Sequence, residues 1–460
     1  MAEKVRTALN ESPLMRWIAL ILISLVMFSS YYFYDVYSAI KSLLQAETGF
    51  SNSDYGAMYG AYSLLNAFGM AFLGGIILDR WGIRKTGSVF IGFLTVGTFL
   101  TTYGASDLFM NGGPGYKLFS SSLFFPNFTP ALKMMLLGRI LFGLGAETFY
   151  VAINKIVAKW FKGYELAFAF AISLAFGRFG TAAAMIVSPR IATSAANWNL
   201  AGWFGVMLAL IGLICFIVYM VMDVKLDKST RRKEGEAEVA DEFSFREILA
   251  LFTNKSFLYI TFLCVTFYSA VFPFMGYVPD FLHNKFGFSQ ELSGDITTIL
   301  PFGTIFFTPL FGWFTDNKGR NASVMILGSI ILILVFALFA FTPVTPYIPL
   351  FFLGVAFSLV PAAMWPSVAR IVDENRLGTA YGIMFSIQNW GLMLFPWIIG
   401  LVLDATNRGR PEGTPLDYTY AVIILGLLGF LGLIFAFLLK HEDKTSGFGL
   451  EQPNKSEAPV

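Results

Sequence analysis

Twelve long apolar runs constrain this chain more than any other feature. They lie at roughly 16–42, 55–78, 87–108, 132–158, 164–188, 200–222, 257–282, 291–314, 322–342, 346–370, 377–403 and 418–440, each near the ~20 residues that cross a bilayer core as a helix. The runs are continuous rather than alternating, which excludes the two-residue period of a membrane barrel. The first run is too long for a cleavable leader and lacks a small-residue cleavage site, so it reads as a span. Composition agrees: 56% of the 460 residues are hydrophobic and 13% charged, with 50 Phe. A soluble chain carries about twice that charge. A cytosolic enzyme, a disordered scaffold and a disulfide-stapled secreted module are thereby excluded. The net charge of +2 makes no case for nucleic acid. Cys215 and Cys264 sit in apolar runs, and His283 and His441 are far apart, so no metal site or cofactor is expected.

Of the 32 Lys and Arg, about 23 fall on one side if the N-terminus is cytoplasmic and about 7 on the other, with Arg139 and Arg178 inside spans. This is a positive-inside bias that places both termini in the cytoplasm. The predicted fold class is therefore an all-α membrane protein of twelve transmembrane helices in two six-helix bundles. The bundles are residues 1–222 and 257–442, joined by a charged cytoplasmic linker, 223–256, and followed by a flexible tail, 443–460. Within the linker, FSFREILALF (243–252) is apolar on one side and reads either as a membrane-surface helix or as solvated linker.

The halves share a motif. GIILDRWGIRK (75–85) and GWFTDNKGR (312–320) share Gly, Asp and Gly in register and then an Arg, one residue earlier in the second copy: Gly75, Asp79, Gly82, Arg84 and Gly312, Asp316, Gly319, Arg320. The offset is 237 residues, about half the chain, as expected for repeats related by an axis along the membrane normal. A carboxylate at a helix end accepts hydrogen bonds from neighbouring helix N-termini and from Arg. Asp79, Arg80, Arg84, Asp316 and Arg320 are thus candidates for a latch that closes and opens with conformation, or else are topology-setting charges.

Ionisable residues within spans cost about 2.5–3.5 kcal/mol each at the centre. Glu147 lies about 21 Å from the outer end of span four, and Arg178 about 22 Å from the inner end of span five, so the two reach one depth. They form either a permanent ion pair or a pair of anchors for the two ends of a zwitterion. Arg139, nearer the outer end of span four and within reach of the interface, is structural or gating. Asp35 carries a proton, binds an amine or holds an outer gate. Tyr31, Tyr32, Tyr34, Tyr59, Tyr62, Tyr268 and Trp365 lie near these depths as candidate cavity walls, Tyr59 and Tyr62 on one helical face. Gln388 and Asn389 bind substrate or join helices.

The loop motif, the twelve-span layout and GRILFGLGAE (138–147) resemble the major facilitator superfamily. Within it, GRILFGLGAETFYVAINK with KWFKGYEL (138–166), AFGRFG (175–180), AVFPFMG (270–276), NKFGFS (284–289) and LGTAYGIMFSIQNWGL (377–392) resemble the lysosomal dipeptide transporter group, major facilitator superfamily domain-containing protein 1. That resemblance implies a uniporter-like carrier of dipeptides without catalysis, Glu147 and Arg178 matching its charged substrate-contacting pair and Asp35 a span-one Asp. The repeated Glu and Arg of the proton-coupled peptide carriers are absent from span one. The alternatives are a carrier of small organic anions or carboxylates on Arg139 and Arg178, and a non-transporting receptor. No Ser/His/Asp set or phosphate loop suggests an enzyme. The expected partners are a small-molecule substrate, a dipeptide on this resemblance, and the lipid bilayer, with an accessory membrane subunit left open. The membrane is the cell (inner) membrane in a prokaryote and the lysosomal membrane in a eukaryote.

Overall fold

The computed structural model describes residues 9–122, 125–194, 197–230, 251–373, 376–411 and 413–453. Among them the regular structure is helical, and eleven helices are long and apolar enough to cross a membrane. The principal helices are α1 (Pro13–Ala39), α2 (Asn52–Gly60), α3 (Met70–Gly104), α4 (Pro130–Phe161), α5 (Leu166–Ser194), α6 (Leu200–Thr230), α7 (Lys255–Met275), α8 (Ile299–Lys318), α9 (Asn321–Phe341), α10 (Tyr347–Ile371), α11 (Leu377–Thr406) and α12 (Thr419–Ser446). Large apolar side chains such as Ile214, Phe306, Phe341 and Phe437 face outward. A water-soluble surface does not expose apolar patches on this scale, but a lipid-facing one does.

The span expected at 55–78 is not one helix. It starts as α2, tightens to a 3-10 turn over Ala61–Ser63, resumes over Leu64–Ala67 and stops at Gly69, whose φ of 87° suits glycine. Its remainder begins α3, which is itself broken at Gly82 (φ 76°, ψ 169°). The count of eleven arises from this break and this merger. A Cβ at Gly60 would meet the Met393 carbonyl, so α2 and α11 approach backbone to backbone, as small residues allow in membranes.

Helices α1–α6 make up the first half of the chain and α7–α12 the second. The end carrying Asp79–Lys85 and Lys318–Arg320 is called here the motif side, the opposite end the far side. At the far side the groups are stitched together. Asp404, near the end of α11, accepts from the Asn52 and Ser53 amides at the start of α2, both at 2.9 Å, a carboxylate at a helix N-terminus. Arg190 of α5 grips Asp295 with two 2.8 Å bonds, and Tyr55 of α2 donates to the Gly276 carbonyl at 2.7 Å. At the motif side, the pairs Arg16–Glu165, Lys155–Asp79, Arg84–Asp223 and Lys440–Glu451 each stay within one half.

Two boundaries differ from the sequence expectation. Helix α6 continues to Thr230, and most of 243–252 lies outside the described residues. The tail is not free from residue 443. Asp443 still belongs to α12 and accepts from the Leu450 amide, while Leu450 is 0% exposed. Glu451 accepts from the Ser323 amide and hydroxyl, both at 2.8 Å, and the Glu451 and Leu450 carbonyls accept from the Arg320 and Asn321 amides. The tail thus satisfies first-turn amides of α9 that would otherwise lack partners. Leu450→Ala is expected to lower unfolding free energy by about 2 kcal/mol, read as a lower denaturation midpoint. An unchanged midpoint would mean the docked tail contributes nothing.

Candidate functional site: a polar cavity between the two halves

A cavity of about 660 Å³ lies between the halves, within the ~300–1,000 Å³ range of small-molecule sites. Its lining runs from Tyr31, Tyr34, Asp35, Tyr59 and Tyr62 down to Asp79, which is exposed at the motif side. The cavity therefore leads to the motif side, while the far side is sealed.

Glu147 of α4 and Arg178 of α5 both face this cavity. No ion pair between them is found among the described residues. Instead Tyr62 donates to Glu147 Oε1 at 2.7 Å. The Arg178 guanidinium sits 5.9 Å from the Tyr31 ring centre in one half and 5.1 Å from that of Phe357 in the other, a cation between two aromatic faces. Tyr31, Asp35, Glu147 and Arg178 all line this one volume. Both an acidic and a basic side chain therefore face the cavity without bonding each other.

Asp35 is 2% exposed. Its carboxylate accepts from Thr181 Oγ1 at 2.8 Å and from Tyr59 at 3.4 Å. Tyr34 packs edge-on against Tyr59 and Tyr62, at 5.1 and 4.7 Å, which immobilises that wall. The opposite wall comes from α7, α10 and α11. Trp365 donates to Tyr268 at 3.0 Å and stacks on Phe385 at 4.9 Å. Gln388 and Asn389 line this wall. Gln388 accepts from the Cys264 thiol, and Asn389 donates to the Phe385 carbonyl at 2.9 Å while its Oδ1, buried, has no partner.

Two expectations are corrected. Tyr32 does not line the cavity: it is fully buried, hydrogen-bonded to Ser188 and packed on Phe204. Successive helical residues turn by about 100°, so Tyr31, Tyr34 and Asp35 share the cavity face and Tyr32 turns away from it. Arg139 does not reach the interface. It is 0% exposed, donates to the Phe33 and Tyr34 carbonyls and is surrounded by the rings of Phe33, Tyr34, Tyr59 and Phe142 at 5.6–5.9 Å. It is absent from the cavity lining, so a two-arginine anion site on Arg139 and Arg178 is not formed.

Of the loop-motif residues, Asp79 bonds Lys155 at 2.6 Å, and Arg84 pairs with Asp223 and Asp227 of α6. Arg80 is exposed. Arg320 has a left-handed backbone and gives its amide to the tail, and Asp316 is engaged in contacts of its own. The sequence reading missed Tyr150 and Thr181, both in the lining. Thr181 stands three residues after Arg178 on one helical face, which was the available signal.

The family model of the Major Facilitator Superfamily matches residues 20–294 and 272–458. The chain belongs to that superfamily. It is a multi-pass membrane protein of a transporter family. It is 29% identical over 453 residues to the lysosomal dipeptide transporter MFSD1 of Bos taurus, covering 93% of this chain and 86% of the relative. The MFSD1 of Danio rerio is 31% identical over 416 residues, covering 85% and 81%. The crystal structure of the nucleoside transporter NupG superposes with a TM-score of 0.66 at 15% identity, over 93% of this chain and 99% of that one, a likeness of fold alone.

Proposed function

We propose that this protein is a facilitative carrier of dipeptides, working as a uniporter by alternating access. The observation that carries the reading is that Glu147 and Arg178 face one cavity with no ion pair between them. A dipeptide presents an ammonium and a carboxylate at its two ends, and this pair offers each a charge-assisted partner. Tyr268, Phe357, Trp365 and Phe385 would meet its side chains. The similarity to dipeptide transporters supports the same substrate class.

In this reading the chain crosses the bilayer twelve times with both termini cytoplasmic. The broken α2 counts as one crossing, and Gly82 is the turn between the second and third. Residues 1–222 and 257–442 rock about the cavity, joined by the 223–256 linker. The motif side is then cytoplasmic, and the described conformation opens inward. Asp79, Arg84, Asp316 and Arg320 would exchange their present partners for partners across the halves when the cytoplasmic side closes. Asp35, held by Thr181 and Tyr59, positions the α1 wall.

A ligand-stabilisation assay on the purified protein tests the substrate class. A free dipeptide is expected to raise the unfolding midpoint, and the same dipeptide N-acetylated and C-amidated to raise it far less. Losing both charged contacts, at about 1.5–3 kcal/mol for each hydrogen bond to a charged group, should weaken binding by more than about 100-fold. Equal stabilisation by the blocked peptide, or stabilisation by dicarboxylates alone, would reject this reading.

A further inference from the structure

Outside the central cavity, the molecule carries a second hollow of about 550 Å³ on its outer surface at the motif side, lined by Trp81, Arg84, Lys85, Ser88, Val89 and Met220. It sits where α3 meets α6, just beyond the Gly82 break. Its two ends differ in chemistry. One end carries Arg84 and Lys85. The other holds Val89 and Met220, and exposed apolar side chains continue along the same two helices: Phe93 and Val96 of α3, and Ile217 and Ile214 of α6. Lys85, Val89, Phe93 and Val96 recur at i, i+4, i+8 and i+11, so they form one stripe along α3. Trp81, 53% exposed, stands at the charged end, where an amphipathic ring sits at headgroup level.

We infer that this hollow binds a phospholipid with an anionic headgroup, the phosphate at Lys85 and one acyl chain along the Val89–Phe93–Ile217 stripe. Charge selects the headgroup. Arg84 is already tied to Asp223 and Asp227, and those two carboxylates also hold Lys159. Lys85 is exposed, and no hydrogen bond or ion pair of it is found among the described residues. Asp223 and Asp227 are thus paired within the protein, and the Lys85 ammonium lines the hollow. A soluble anion would use only the charged end, whereas a lipid uses both. The neighbouring Arg84 clamp joins α3 to α6, so an occupied hollow would also brace the α3–α6 edge of the first half.

The test is lipid binding to the purified full-length protein in detergent, by native mass spectrometry and thermal shift. The probes are phosphatidylglycerol, phosphatidylcholine and water-soluble glycerol phosphate. Phosphatidylglycerol is expected to bind about tenfold more tightly than phosphatidylcholine. Lys85→Gln should erase most of that preference without moving the lipid-free unfolding midpoint. Trp81→Ala should weaken both lipids. Equal binding of the two lipids, an unchanged preference in Lys85→Gln, or glycerol phosphate binding as tightly as the lipid would each overturn the proposal.

Discussion

Replacing Arg178 by alanine is expected to reduce dipeptide uptake into liposomes by about 30-fold to 1,000-fold while the protein still folds. The magnitude follows from removing one charged partner in a desolvated contact, about 2–4 kcal/mol. Folding should survive because, among the described residues, no ion pair of Arg178 is found whose loss would strand a buried charge; its guanidinium lies by the rings of Tyr31 and Phe357. Lys at this position is expected to restore only part of the activity, since an ammonium cannot grip a carboxylate bidentately. The complementary change, Glu147→Gln, keeps a partner for Tyr62 but removes the negative charge. It should weaken free dipeptides strongly and N-acetylated ones little. Uptake that is undiminished in Arg178→Ala would remove the assigned anchor.

Lys41→Met is expected to destabilise the far-side-closed conformation by about 3–5 kcal/mol. Lys41 is 1% exposed and bonds Asp280 at 2.8 Å, Asn52 at 2.8 Å and Gln45 at 2.7 Å. The rings of Tyr55 and Tyr277 lie at 5.5 Å, and Tyr418 also donates to Asp280. Removing Lys41 alone leaves the Asp280 carboxylate buried and uncompensated. Removing both charges does not, so Lys41→Met with Asp280→Leu should recover more than half of the loss. The measurement is the unfolding midpoint of the single and double variants in detergent, together with uptake. Because the pair joins the segment after α1 to the segment after α7, its loss should also slow uptake by favouring an open far side. A single variant as stable as the parent would show that the pair contributes nothing to closure.

Much of this architecture was legible in order along the chain. Apolar length separates spans from loops because the bilayer demands about 20 residues per crossing, and the runs fall where the helices lie, with the repeat at Gly75–Arg84 and Gly312–Arg320 marking the halves. The break in the second span was not legible. The Ala61–Ser63 turn and the stop at Gly69 answer to close packing of α2 on α11, and hydropathy averages over both. Glu147 and Arg178 stood out because ionisable groups in apolar runs are rare. Tyr32 was misplaced because depth was read without rotation about the helix axis.

Lys41 reads along the chain as one of several outer loop charges, and Asp280 and Asp404 as residues near span ends. Their partners are 239 and 352 residues distant, and such pairings leave no local pattern. Composition and hydropathy dictated that the chain is a bundle of membrane helices, because transfer of apolar surface from water depends on residue type and not on neighbours. Which charges meet, which face a ligand and which side is shut depend on how helices remote in sequence rotate and pack against one another, and that information exists only in three dimensions.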